Sequence, residues 1–259
     1  MKNSMYRALV IIFWSLFEVS ASNFTDPQEI IANSDRIRNS ERSFKLTNKL
    51  TEYDNGSPRN EMQLDIYAKK DRLSGQYKTL VRYIEPPRDN GKMVLFNGSQ
   101  MWFYDSFSKA SVRISPQQRL MGQASEGDVV TVNLAQDYRA KLIGEEHLDD
   151  ADRVSHDCWR FDLSPANDGA IYGRIEYWVE KGSYKPVKGK FYSDSGRLLK
   201  IAYYHRYEEE LGDVRPTETI IIDAINSRLV TVMSFSNYEF KEIPDSWFQR
   251  EYLPHIMAD

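Results

Sequence analysis

Residues 80–125 constrain the fold more than any other stretch, because three apolar runs and their turns follow one another there with almost no spare residues. Leu80 to Ile84 reads as a strand that Pro86-Pro87 stops. Lys92 to Phe96 reads as a second, and Asn97-Gly98 as a tight hairpin turn that needs positive φ. Ser99 to Tyr104 runs back, Asp105-Ser106 turns the chain again, and Ala110 to Ile114 extends before Ser115-Pro116. The unit is an antiparallel meander. Met93-Val94-Leu95-Phe96 and Met101-Trp102-Phe103-Tyr104 lack the alternation of a half-solvated sheet, so both faces of each strand should be covered.

From Ser43 to Ser236 the chain repeats this theme of a β-branched and aromatic run followed by a turn. Phe44 to Tyr53, Met62 to Tyr67, Tyr138 to Gly144, Val154 to Leu163, Ile171 to Glu180, Lys185 to Tyr192, Leu198 to Tyr207, Val214 to Asp223 and Arg228 to Phe235 are further strands. Asn55-Gly56, Asp168-Gly169, Gly182, Gly196 and Gly212 punctuate them. No linker interrupts the series, so residues 22–259 read as a single, mainly β domain: a curved antiparallel sheet or incomplete barrel. In several strands Trp159, Phe161 and Leu163 oppose Arg160 and Asp162, and Ile175, Tyr177 and Val179 oppose Arg174 and Glu176. One face is therefore buried and the other wet. The pattern leaves a filled and a hollow interior equally open.

The ends of the chain differ from its middle. Met1 to Ala21 carries Lys2 and Arg7, an apolar run from Ala8 to Phe17, and Val19-Ser20-Ala21. This is the pattern of a secretory signal cleaved after Ala21, with no Cys following to take a lipid. Export with Cys158 as the sole cysteine excludes an intramolecular disulfide. Net charge is −4, and removing Lys2, Arg7 and Glu18 makes it one unit more negative, which argues against a nucleic-acid partner. Thr25 to Ile31 starts a helix: Asp26 can cap, Pro27 suits the first turn, and Ile30, Ile31, Ser34 and Ile37 share one side.

Two further stretches break the strand pattern. Between Ser115 and Asp137 no strand period holds, and Val129 to Leu134 suits a helical turn or two. After Asn237, Asp245 can cap a short helix with Trp247 and Phe248 that would plug the open end of the sheet. No motif for nucleophilic, phosphate or metal chemistry occurs. His147, His156, His205 and His255 lack metal-like spacing, and Cys158 beside Trp159 reads as a packing residue. The reading is therefore of a non-enzymatic protein without cofactor or metal.

The order of Leu80-Val81-Arg82-Tyr83, Pro86, Lys92-Met93-Val94-Leu95 and Gly98-Ser99-Gln100-Met101-Trp102-Phe103-Tyr104 resembles the LolA/LolB-type lipoprotein carriers. The closer likeness is to a larger branch of outer-membrane lipoprotein-sorting proteins. Ile243-Pro244-Asp245-Ser246-Trp247-Phe248 is similar to the closing segment of that family. The resemblance implies a half-barrel whose open mouth is covered by helices, with a segment like Arg113-Ile114-Ser115…Met121-Gly122 crossing it, and tips the choice to a hollow interior. It implies a periplasmic carrier that holds a lipid, or the acyl chains of a lipoprotein, for transfer towards the outer membrane, with transient membrane contact. An inner-membrane exporter of the resistance-nodulation-division type is an implied partner. The candidate cavity and lid contacts are Ile30, Ile31, Leu95, Trp102, Tyr104, Leu120, Met121, Ile175 and Tyr177. The alternative is an envelope sensor or transporter-accessory module with a filled barrel and no lipid cargo.

Overall fold

The computed structural model describes residues 26–98 and 100–256. The signal read at Met1 to Ala21 lies outside the described residues. Helix α1 (Pro27–Arg38) starts as expected, with the Asp26 carboxylate accepting from Gln28 N at 3.0 Å and Pro27 in the first turn. Its buried stripe is Ile30, Ile31, Ser34 and Asp35. The stripe needs an apolar surface to cover, and the sheet supplies one.

The first half of the sheet comprises β1 (Phe44–Asp54), β2 (Ser57–Lys70), β3 (Tyr77–Glu85), β4 (Met93–Asn97), β5 (Gln100–Asp105) and β6 (Ala110–Ile114). A strap, residues 115–137, follows with a two-stranded hairpin of β7 (Arg119–Met121) and β8 (Ala124–Ser125) and the one-turn helix α2 (Leu134–Asp137). The second half is β9 (Tyr138–Asp149), β10 (Ser155–Pro165), β11 (Arg174–Glu180), β12 (Pro186–Tyr192), β13 (Leu198–Glu210), β14 (Asp213–Asp223) and β15 (Leu229–Phe240). The helical turn expected over Val129 to Leu134 falls slightly later, where the Asn133 side chain caps α2 by accepting from Gln136 N at 3.2 Å.

Thirteen strands form one antiparallel sheet in the order β6-β5-β4-β3-β2-β1-β15-β14-β13-β12-β11-β10-β9. The first and last strands meet in its middle, with Leu50 opposite Met233. The sheet curves without closing, and its edges are β6 and β9. Those are the two strands that the strap joins, so the chain crosses the open side with covalent bonds where no ladder does.

Alternation sorts the side chains by face. On the concave face Leu50, Leu64, Val81, Val94, Phe161, Ile175 and Val179 form one core with Ile30 and Ile31 of α1. On the convex face of the first half, Tyr67, Leu80, Met93, Leu95 and Tyr104 are covered by Ile243, Phe248 and Leu253 of the C-terminal segment. Burying each of those three side chains contributes roughly 1.5–3 kcal/mol. This corrects the expectation of a plug at the sheet's open end. It also corrects the expected cap: Asp245 lies inside a 3-10 turn, Asp245–Phe248, with no capping bond, and pairs instead with Lys69 at 2.9 Å. Further along the convex face Cys158 is buried with Trp178 and Val187, and burial pushes its thiol up to about 12.

The strand expected from Ile171 begins at Arg174 because the preceding residues serve as an anchor. Tyr172 N donates to the Tyr138 hydroxyl at 2.8 Å, and that hydroxyl donates to Tyr172 O at 3.2 Å. Gly173 sits where a Cβ would lie 2.6 Å from Asp194 Cα, so a side chain there would force the β12–β13 turn away.

Candidate functional site

A cavity of about 150 Å³ lies between the concave face, α1 and the strap. The sheet gives it Phe44, Leu46, Ile66, Ile175, Phe191, Ile221, Met233 and Phe235, and the strap gives Val129, Val130, Val132 and Leu134. Its polar lining includes Arg38, Asp128, Asp137, Tyr172, Lys200 and Tyr204. The space matches a guest of benzene size, so a long acyl chain needs the strap to move.

Polar bonds fix the strap across the sheet. Gln123 N donates to Thr231 Oγ1 on β15 at 2.8 Å, and Thr131 N donates to Thr79 Oγ1 on β3 at 3.2 Å. Between them Lys200, only 4% exposed on β13, pairs with Asp128 and donates to Ser125 Oγ at 3.1 Å. Asp128 also accepts from Ser125 N at 2.7 Å and from the Tyr172 hydroxyl at 2.6 Å. Burial and the Asp128 carboxylate hold the Tyr172 hydroxyl well above its ordinary range. A charge pair of this kind is stable in a low-dielectric site only when its remaining lone pairs and protons are satisfied, and here Ser125 and Tyr172 do that.

The helix is joined to the same strap. Gln28 Nε2 donates to Ala135 O at 2.5 Å and to Tyr138 O at 2.8 Å, while its Oε1 accepts from Ala140 N at 2.9 Å. Asn39 Nδ2 donates to Val132 O at 2.8 Å. Arg38 pairs with Asp35, whose carboxylate also accepts from Ala135 N at 2.8 Å; burial raises the Asp35 pKa against that attraction. Helix and strap therefore form one roof.

Two carboxyls in the strap are less well matched. Glu126 is 4% exposed and accepts from the Tyr83 hydroxyl at 2.9 Å, and burial pushes its pKa up to about 7. Asp137 accepts from Gln76 Nε2 at 2.6 Å and is pushed up to about 6 by burial.

The residues expected at the cavity divide into three groups. Ile175 lines it. Ile30, Ile31, Tyr177, Leu120 and Met121 belong to the same concave core without lining the cavity; Tyr177 packs edge-on against Tyr204, which does line it, with ring centroids 5.9 Å apart. Leu95, Trp102 and Tyr104 are on the other face, and their expected cavity role is corrected. Leu95 and Trp102 are cross-strand partners, as are Met93 and Tyr104, and both pairs point to the C-terminal segment, where the Arg250 guanidinium lies 4.5 Å from the Trp102 ring. Their neighbours Val94, Phe96, Met101 and Phe103 face inward. Two apolar faces give no parity signal, so sequence could not choose between these sets.

Sequence reasoning also missed Arg38, Asp128, Lys200 and Tyr204. A period-2 signal existed for two of them: Lys200, Ala202 and Tyr204 alternate along β13 and all line the cavity. A helical one existed for Arg38, four residues after Ser34 on the buried stripe of α1.

A family model described as uncharacterized-protein-like matches residues 75–255. No curated protein matches the chain. Among solved structures, a LolA superfamily protein from Nitrosomonas europaea is 28% identical, with a TM-score of 0.77, 88% of this chain covered and 99% of the other. An outer membrane lipoprotein-sorting protein domain from Vibrio parahaemolyticus is 17% identical, with a TM-score of 0.73 over 88% of this chain and 98% of the other. A DUF1329 family protein from Desulfovibrio piger is 21% identical, with a TM-score of 0.72 over 88% and 100%. With an unclosed antiparallel sheet, a roof of helix and strap, and a family match over most of its length, the chain belongs to the family of that model and is a member of the LolA-like superfamily.

Proposed function

We propose that the protein is a periplasmic carrier that holds a lipid, or the acyl chains of a lipoprotein, in the cavity beneath the strap and passes it towards the outer membrane. The observation that carries this reading is the mainly apolar cavity, walled by Phe44, Ile66, Phe191, Ile221 and Met233 and roofed by a segment held to the sheet through side chains. Each methylene moved out of water contributes about 0.8 kcal/mol, so binding needs no covalent chemistry. The roof must lift for cargo to enter and leave. Among the described residues no helix is long and apolar enough to cross a membrane, and contact with a bilayer in this reading is transient. The likeness to a lipoprotein-sorting domain and a LolA superfamily protein supports the cargo class. It does not reach to an exporter, so no transporter partner forms part of the reading.

A second reading, an interaction module with a filled interior, is favoured by the small volume of about 150 Å³. Native mass spectrometry of the protein purified gently from the periplasm, followed by lipid extraction, separates the two. A stoichiometric lipid supports the carrier. A bare polypeptide mass together with no uptake of a fluorescent acyl probe sinks it and leaves the interaction module.

A further inference from the structure

The cavity lining carries four formal charges that cancel, Arg38 and Lys200 against Asp128 and Asp137. Each cation is committed already. Lys200 is paired with Asp128, and Arg38 with Asp35 one turn back on α1. A carboxylate entering this space would meet no spare positive charge, and burying an uncompensated ion is costly.

Hydrogen-bond donors, by contrast, are left over. Arg38 uses Nη2 on Asp35 and on Val132 O, while its Nε–H is buried without an acceptor. Ser34 Oγ, on the same face of α1, and the Tyr177 hydroxyl are buried beside one another and beside Tyr204, with no well-formed hydrogen bond to any of them. Tyr177 lies within the electrostatic reach of Arg38 and Tyr204, the two residues of this group that line the cavity. Unmade hydrogen bonds at wholly buried groups are rare in folded proteins because each leaves a desolvated polar group uncompensated. Donors left without a good acceptor, beside a cavity whose one carboxylate without a cation is Asp137, are complementary to a neutral acceptor. An ester or amide carbonyl is such a group, and it accepts from a guanidinium N–H without bringing a charge that needs a counterion.

Resting on the carrier reading above, we propose that the α1 end of the cavity is a carbonyl subsite. It takes the ester or amide carbonyl of an acylated molecule, with the acyl chain continuing into the apolar part, and it discriminates against free fatty acids.

The test compares a fluorescent fatty acid with its methyl ester, equal in chain length, bound to the full purified protein near pH 8, roughly four units above an ordinary carboxyl pKa. The ester should bind about tenfold more tightly. Arg38→Lys keeps a cation opposite Asp35 but removes the Nε–H, and Tyr177→Phe removes a hydroxyl that makes no well-formed hydrogen bond. Each should weaken ester binding by roughly three- to tenfold and leave the acid unchanged, and Tyr177→Phe should not lower the melting temperature. Equal or tighter binding of the acid overturns the subsite, as does an ester preference that survives in both variants. Failure of both probes to bind the wild-type protein overturns the carrier reading along with it.

Discussion

Lys200 rises from the concave face of β13 and forms a buried ion pair with Asp128 of the strap, 72 residues earlier in the chain. The pair ties the roof to the floor near the middle of the sheet. Its neighbours are positioned for it, since Tyr172 both donates to Asp128 and lies under the ammonium with its ring centroid 5.1 Å away.

Replacing Lys200 by Met leaves the Asp128 carboxylate buried without its cation. The expected cost is about 3 kcal/mol, at the lower end for a broken buried pair because Ser125 and Tyr172 still donate to Asp128. Thermal denaturation measures the loss. Limited proteolysis should show new cleavage within residues 115–137, and an unchanged digestion pattern would mean the strap is held by other contacts.

Glu126 makes stability fall as pH rises. Its folded carboxyl titrates near 7 against an ordinary value of 4.5, so the folded state binds more protons than the unfolded state between those values. Unfolding free energy should decline across this window by about 3 kcal/mol. Asp137, pushed up to about 6, acts in the same direction, whereas Glu176 and Asp150 are held low despite burial and act only at more acid pH. Glu126→Gln keeps an acceptor for Tyr83 without a charge. Urea unfolding near pH 5, at the low end of the window, and near pH 8, about one unit above it, should show a flatter pH dependence in the variant.

Two glycines with positive φ separate local strain from close packing. Gly56, at the β1–β2 turn with φ +76, has open space around it, and Gly56→Ala should cost about 1 kcal/mol. Gly122, at the tip of the strap hairpin with φ +55, would place a Cβ 2.3 Å from Thr231 Oγ1. Gly122→Ala should cost roughly 2–4 kcal/mol, and by shifting the tip it should also weaken the Gln123 bond to Thr231. Chemical denaturation of the two variants checks the ranking.

Leu95 and Phe235 are both apolar strand residues, but they belong to opposite faces. Leu95→Ala should destabilise by about 3 kcal/mol, loosening the C-terminal segment at Phe248, and leave acyl-probe uptake unchanged. Phe235→Ala should alter uptake, because it enlarges the cavity wall. A change in uptake for Leu95→Ala would return that residue to the binding site.

The sequence by itself determined the elements. Strand alternation, Gly and Asn turns and the Asp26-Pro27 cap define an N-terminal helix and an antiparallel meander, and most strands lie within a few residues of their expected bounds. Those signals are local, set by turn chemistry and by burial of every second residue. Three things were decided only by the tertiary structure. Which face of β4 and β5 looks inward depends on the strap covering one side and the C-terminal segment the other, and both sides of those strands are equally apolar. That the strap's polar residues meet Lys200, Thr231 and Thr79 depends on the sheet staying open, so that the connection between its two edges must cross the concave face. The donors left over at Arg38, Ser34 and Tyr177 exist only because α1 and β11, 139 residues apart at Arg38 and Tyr177, pack together with fewer acceptors than donors. No periodicity encodes that imbalance, since it is a property of what surrounds each atom and not of the chain that carries it.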